Sequence, residues 1–514
     1  MNKKTRSSVF LDNNHFFEFF SNTKIQLILI AILGLIPRVY FFPSDIHITL
    51  DGLLYFWYAY DISYTNLIPT GYSFPNNFWP LILSQIFSVA NSEYFLELMS
   101  IQRVTTIIIS VLTIIPLYFF LRKFFEKKYA LIGIILFIIE PRIIENSLNG
   151  LPESLFIFLG ISSLALFLSS SIRNSYFAFI LAAFLAMTRY EGMLLLIPLS
   201  IIFLVKFKKD KKFLHIFGLL TLFVLILLPM ANLRTDTMGN DGLSSHLLGA
   251  ANVTIQNDPN KINFSAGIIN FMQLVALGTL PFFFILIPYG IFCILKRNTK
   301  NYLIIIFSLV FLIPTFYAGL RDISEIKYLF ILVPIFSLFS LFIIERIDKK
   351  IKIRNLFLYI VILICFISSI FFLYSNIDND YQRENMSFAY EIGKHTSIIN
   401  DYHPESVYLE TIGFSDYNDI SGKRILIGQK IEVLFAEEFS TLEKFLEYGE
   451  EKNLEYLVAD NNTNRPEFLF DVYDNEEKYP YLEKVFDSEE SGYKKFKVKL
   501  FKINYESLDK TMNG

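Results

Sequence analysis

Apolar runs of about twenty residues recur along this chain, separated by short polar loops, and they stop near residue 375. A helix that crosses a bilayer needs about 20 mostly apolar residues, because lipid offers no partner to an unpaired backbone group. Repetition of that pattern leaves one fold class, an α-helical integral membrane protein. Runs near 24–42, 102–121, 129–146, 151–171, 174–189, 191–207, 213–231, 267–295, 301–320, 326–345 and 353–375 predict about eleven transmembrane helices. A further run at 78–90 is too short to cross and reads as a helix lying in, or dipping into, the interface. From 376 onward the composition becomes that of a soluble domain, with Glu437-Glu438 and Glu450-Glu451-Lys452. The predicted organisation is a cytoplasmic N-terminus 1–23, a transmembrane domain 24–375 with a first exterior loop 43–101, and an extracytoplasmic soluble domain 376–514.

Loop charge orients these spans. With the N-terminus inside, the cytoplasmic loops are Arg122 to Lys128, Ser171 to Ser175, Lys206 to Lys212, Lys296 to Lys300 and Glu345 to Arg354, and four of the five are dense in lysine and arginine. That matches the positive-inside rule. Counting 78–90 as a crossing would put the basic loops outside. The sequons at Asn252, Asn263, Asn385 and Asn461 all fall in segments read as exterior. The apolar patch around Phe16 to Phe20 is short and no small-residue cleavage site follows, so no cleaved signal peptide is expected. A net charge of -3 gives no sign of nucleic acid, and Cys293 and Cys365, both in apolar runs, suggest no disulfide framework, metal site or nucleophile.

Ionisable residues at membrane depth are costly and mark function by default. Here they gather at the exterior ends of the spans: Arg38, then Glu140, Arg142 and Glu145, then Glu153, then Arg189 and Glu191 in a tight turn, then Arg321, Asp322, Glu325 and Lys327. The cytoplasmic ends carry no comparable acidic set. Each residue also has a plain structural reading. Arg38 can snorkel to headgroups, and Arg142 and Glu145, at i and i+3, can form a local pair. The exterior loop from Pro43 to Asp61 is the most informative stretch. From Asp51 it reads as an amphipathic helix, Asp51 serving as its N-cap or as a carboxylate facing a membrane-borne substrate, with Asp45 and Asp61 as rivals.

This loop carries a family resemblance. Arg38 in the first span, Asp51 with Tyr55 four residues on, Pro75-Asn76-Asn77-Phe78-Trp79-Pro80-Leu81, and Gln102-Arg103 opening the next span resemble the C-type (GT-C fold) glycosyltransferases. The likeness is to the branch of protein O-mannosyltransferases and lipid A aminoarabinose transferases (glycosyltransferase family 39-like). Glu140-Pro141-Arg142, Gly150-Leu151-Pro152-Glu153 and the late Lys327-Tyr328-Leu329 are similar to motifs of the same branch, so the resemblance covers roughly residues 25–340. Gly52 stands where the family often has glutamate, and Lys327 where arginine is frequent.

The resemblance implies transfer of a sugar from a polyprenyl-phosphate donor to a protein or glycan hydroxyl on the outer face, with membrane lipids as partners and no obligatory metal or other cofactor. Asp51 is then the catalytic base. Arg38, Tyr55, Arg142, Glu145, Glu153, Arg189, Glu191, Arg321, Lys327 and Tyr328 are the substrate-binding candidates, with Arg189, Arg321 and Lys327 facing the leaving phosphate. Asp45, His47 and Asp51 are the residues to consider were a metal required. Two other readings stay open. An oligosaccharyltransferase or glycan ligase using a lipid diphosphate would favour paired acidic motifs, and no Asp-X-Asp pattern is present. A transporter or flippase would favour inverted repeats and broken midplane helices, and no such repeat is visible. In the tail, β-like runs at 407–410, 424–428, 456–459 and 496–501 around a helical stretch 440–452 predict a small α/β domain.

Overall fold

Proline and capping residues divide the apolar runs more finely than hydropathy does. The computed structural model describes residues 22–48, 50–68, 77–90, 94–169, 171–206, 211–238, 264–296, 302–321, 325–351, 354–395, 398–400, 432–434, 439–461 and 466–513, with residues 92, 323 and 436. The run expected at 129–146 is two helices, Lys127–Ile138 and Pro141–Leu148. Pro141 opens the second, where its missing N–H costs nothing. Glu140 caps it by accepting the Ile143 N–H at 2.8 Å. Gly150 then turns the chain at φ 69°, a left-handed conformation suited to glycine, and Glu153–Phe167 follows. The run read as one span at 267–295 is a bent pair, Phe264–Thr279 and Phe283–Lys296, with axes at 103°. Pro281 lies in the break, and its missing N–H cannot continue a helical ladder. Hydropathy registers length, not direction, and so missed the bend.

Among the described residues six helices are long and apolar enough to cross a membrane, or seven with the bent pair, and Phe78–Ala90, Glu153–Phe167 and Ile172–Thr188 are shorter apolar helices. Length alone does not reproduce the count of eleven. The short helix expected at 78–90 is present. The span expected at 213–231 continues as helix to Met238.

The chain forms two compact units. The first comprises Met1–Phe42, Ser73–Trp79 and Arg103–Asn376 and is a helical membrane unit. Its helices approach closely where side chains are small. A Cβ on Gly290 would lie 2.2 Å from the Phe339 carbonyl oxygen, so Phe283–Lys296 lies nearly backbone to backbone against Val333–Asp348.

The second unit comprises Pro43–Tyr72, Pro80–Gln102 and Ile377–Gly514. Its helix Leu50–Thr65 is not the amphipathic surface helix expected. Leu53, Phe56, Trp57, Tyr58, Ala59 and Ile62 are all buried. Aromatic rings account for part of this: Phe56 meets Phe87 at 5.5 Å, and Trp57 and Tyr60 meet Phe95 at 5.0 and 5.4 Å between centroids. The tail contributes a three-stranded antiparallel sheet with Val498–Ile503 between Tyr456–Asp460 and Leu482–Asp487. Helix Leu442–Glu451, capped by Thr441, adds Phe445 and Leu446 to a core with Leu457, Val472 and Phe501. Helix Asn379–His395 is tied in by Glu384, which accepts the backbone N–H groups of Lys494, Lys495 and Phe496 at 2.7–2.9 Å. Two expected strands therefore match, and those at 407–410 and 424–428 lie outside the described residues.

Candidate functional site

Burying a charge is tolerable only where it is paired or fully hydrogen-bonded. The membrane unit contains such a group at Arg189. The helix Ile172–Thr188 ends there, Arg189 turns to extended backbone at φ −149°, and the chain re-enters as a 3₁₀ helix, Tyr190–Leu195. Gly192 makes the turn possible, because a Cβ there would lie 2.7 Å from the Leu185 carbonyl. The guanidinium then points at two carboxylates. Its Nη2 donates to Glu191 Oε1 at 2.8 Å and its Nε to Glu191 Oε2 at 3.4 Å, while Nη1 donates to Glu153 Oε1. All three residues are buried, and Glu153 Oε2 has no hydrogen-bond partner among the described residues. Glu153 opens its helix, where the dipole favours a negative charge.

A third element completes the cluster. The 3₁₀ helix Ile326–Leu332 brings the Tyr328 ring centroid to 5.5 Å from Arg189 Cζ, and Phe156 lies at 6.0 Å. Tyr328 is in electrostatic reach of Arg189, Glu191, Lys327 and Glu325. Lys327 pairs with Glu325. Thus five sequence candidates, Glu153, Arg189, Glu191, Lys327 and Tyr328, come together. Arg321, at the end of Tyr302–Leu320, is exposed, and Asp322 lies outside the described residues.

Arg38 is arranged differently. It is fully buried and donates to Ser147 Oγ at 3.0 Å, Ser110 Oγ at 3.0 Å, the Gly34 carbonyl at 2.7 Å and the Ile138 carbonyl at 3.0 Å. It clamps helices together and does not snorkel. Arg142 and Glu145 do not form the local pair considered from their spacing: no hydrogen bond or ion pair joins them among the described residues, and Arg142 Cζ instead lies 4.9 Å from the Phe372 ring.

In the second unit Asp51 is exposed in the first turn of Leu50–Thr65, one residue inside the helix rather than at its cap. The next residue is fastened: Gln102 Nε2 donates to the Gly52 carbonyl at 3.1 Å. Tyr55 is half-buried one turn on, and Asp61 is fully buried. Asp45 is taken by Arg383, whose Nη2 reaches Asp45 Oδ1 at 3.2 Å. Among the described residues no three His, Cys, Asp or Glu side chains gather as a metal site, Asp45, His47 and Asp51 included.

Sequence reasoning missed several buried polar contacts. Trp79 Nε1 donates to the Gly150 carbonyl at 3.2 Å, Arg103 Nε to the Leu148 carbonyl at 3.0 Å, and Arg234 Nη1 to Asn77 Oδ1 at 3.0 Å. The usable signal for Arg234 was a cation one turn past an apolar run. The far end of the helix Val333–Asp348 also carries a buried acid, against the expectation of no acidic set there. Asp348 accepts from Lys128 Nζ at 2.6 Å and from the Tyr129 hydroxyl at 2.7 Å.

Comparison with known proteins bears on this arrangement. Residues 95–233 match the family model described as dolichyl-phosphate-mannose-protein mannosyltransferase. The structure of ArnT from Cupriavidus metallidurans bound to undecaprenyl phosphate is similar over 95% of this chain and 99% of that one, with a TM-score of 0.58 at 8% identity. The chain has the GT-C fold. The same fold appears in the Archaeoglobus fulgidus oligosaccharyltransferase in complex with zinc and sulfate, at TM-score 0.56 and 14% identity over 85% of this chain and 68% of that one. It appears again in that organism's AglB with an inhibitory peptide and a dolichol-phosphate, at TM-score 0.52 and 14% identity over 90% and 73%. At such identities the structures establish a shared GT-C fold and nothing finer. No curated protein sequence matches the chain.

Proposed function

We propose that this GT-C protein transfers a sugar from a polyprenyl-phosphate donor to a protein or glycan hydroxyl on the outer face of the membrane. The observation that carries the reading is the near end-to-end likeness to a GT-C structure that holds undecaprenyl phosphate. The family description, which names dolichyl-phosphate-mannose, supports the same donor class. Asp51 is the base in this reading: exposed, at a helix start fixed through Gly52, it takes the acceptor proton as the hydroxyl attacks the anomeric carbon. Direct displacement inverts that carbon, and the lipid phosphate leaves. Arg321 and Lys327 meet the phosphate. Arg189 is the weaker phosphate candidate, since two carboxylates already hold it and an arriving anion would have to displace one. Glu153, Glu191, Tyr328 and Tyr55 then position the sugar, and Arg142 and Glu145 the lipid or acceptor. Arg38 contributes by holding the helices that carry them. The lysine- and arginine-rich loops, read as cytoplasmic by the positive-inside rule, support an exterior site.

A second reading, an oligosaccharyltransferase using a lipid diphosphate, is favoured by the likeness to the Archaeoglobus enzymes. One assay with purified protein separates the two: polyprenyl-monophosphate sugar against polyprenyl-diphosphate glycan as donor. The monophosphate is expected to be used. Asp51→Asn should transfer at least about a hundredfold more slowly with an unchanged melting temperature. Arg321→Ala and Lys327→Ala should each weaken donor binding. Exclusive use of the diphosphate donor, or near wild-type transfer by Asp51→Asn, overturns the corresponding part.

A further inference from the structure

On a side of the membrane unit where Leu112, Ile115 and Phe119 are exposed, residues of Phe95–Leu112, Ile114–Leu121 and Glu153–Phe167 line a groove of about 670 Å³. Its walls are apolar: Leu112, Ile115, Pro116 and Phe119 on one side, Phe158, Ala165 and Leu166 on the other. Its volume falls in the range of roughly 300–1,000 Å³ typical of small-molecule sites. One end is basic and polar, formed by Arg122, Lys123, Ser169 and Asn174. Arg122 and Lys123 are exposed. Arg122 commits one N–H to the Phe125 carbonyl at 2.8 Å, and Asn174 Nδ2 is fixed on Ser169 Oγ at 2.8 Å. Lys206 lies behind them, its Nζ held by the Phe167 and Ser169 carbonyls at the C-terminal end of Glu153–Phe167. Two cations, Arg122 and Lys123, therefore line the mouth of an apolar slot, with Lys206 bonded to the Ser169 carbonyl beside it.

The length of the slot decides what fits. From Phe158 to Ser169, and again from Leu112 to Lys123, is eleven residues, or roughly 16 Å at the helical rise. That is about half of the roughly 30 Å hydrocarbon core, the depth of one leaflet. A long polyprenyl chain would overrun it, whereas a single acyl chain matches. The basic mouth also lies toward the opposite end of Glu153–Phe167 from the Arg189 cluster, since Glu153 is that helix's first residue. We propose that this groove binds an anionic glycerophospholipid of the leaflet adjoining the 122–128 loop. The phosphate is met by Arg122 and Lys123, and one acyl chain lies between Leu112–Phe119 and Phe158–Leu166. This is a second lipid site, separate from any donor site.

Native mass spectrometry of the full-length detergent-purified protein tests this with phosphatidylglycerol, phosphatidylcholine and undecaprenyl phosphate as probes. Phosphatidylglycerol should be retained in preference to phosphatidylcholine. The double variant Arg122→Ala/Lys123→Ala, in exposed side chains, should lose that preference by roughly tenfold or more. Ala165→Trp, which fills the slot, should lower retention of both phospholipids. Equal retention of the two phospholipids, no change in either variant, or displacement of phosphatidylglycerol by undecaprenyl phosphate at equal concentration would each overturn the proposal. No arm depends on sugar transfer, so the result stands apart from the enzymatic reading.

Discussion

Two buried arginines of the membrane unit solve the same problem in opposite ways. Arg38 spends its N–H groups on hydroxyls and carbonyls, all neutral, drawn from several helices. Arg189 spends its own on two carboxylates, beside two aromatic rings, with Glu153 Oε2 left unbonded among the described residues. A guanidinium surrounded by neutral acceptors is a fastening. One surrounded by charges is a poised electrostatic arrangement that an arriving charged group can rearrange. Burial of an arginine in a membrane protein therefore does not reveal its role; the charge of its acceptors does.

The sharpest way to break this contrast is Arg189→Met. It leaves Glu153 and Glu191 buried without their cation, which typically costs about 3–5 kcal/mol, and should collapse the detergent melting transition. Adding Glu153→Gln and Glu191→Gln should restore folding but not transfer. A triple variant that transfers sugar at the wild-type rate would show the cluster to be scaffolding like Arg38. Next is Arg38→Met. Hydrogen bonds to a charged group contribute roughly 1.5–3 kcal/mol each, offset here by relief of a desolvated cation, so the melting temperature should fall moderately. Transfer per folded molecule should persist, and its loss in a protein that still melts normally would move Arg38 into the site. The smallest effect belongs outside the membrane, at Asp471. Hydrogen bonds from Tyr479, Lys478 and Asn475 hold its carboxyl below the usual carboxylate range. A depressed folded value stabilises above the unfolded value of about 3.9 and is lost as pH falls through the folded one. Asp471→Asn should thus lower stability slightly at neutral pH, leave stability below about pH 4 nearly unchanged and so flatten the acid destabilisation, as tyrosine fluorescence against pH would record.

Much of this is legible in the sequence. Apolar run length identified a membrane protein, and the shortness of 78–90 marked a helix unable to cross. Charges in apolar context pointed to Glu153, Arg189, Glu191 and Lys327, the family resemblance added Tyr328, and these residues do come together. What hydropathy does not encode is direction and partnership. The bend in 267–295 left only Pro281 as a trace. Arg38 reads the same in sequence whether its neighbours are headgroups, substrates or the Ser110 and Ser147 hydroxyls. Asp51 looked like a cap because aspartate usually caps, but the helix begins one residue earlier. The aromatic residues after it looked like a membrane-resting face because their burying partners, Phe87 and Phe95, lie about thirty to forty residues further along.

The second unit is assembled from three separate stretches of chain, 43–72, 80–102 and 377–514. Ribosomes read in one direction, so its early stretches emerge some 275 residues before the last one begins. At roughly 5–20 residues per second that interval lasts about fifteen to fifty-five seconds. Throughout it the buried aromatic helix Leu50–Thr65 must wait without the tail that shares its unit. Biogenesis of this protein thus includes a period in which Phe56 and Trp57 can already meet Phe87 and Phe95 while Asp45 still lacks Arg383. For the same reason a tail deletion at residue 376 would leave the first loop its aromatic contacts but strip Asp45 of Arg383.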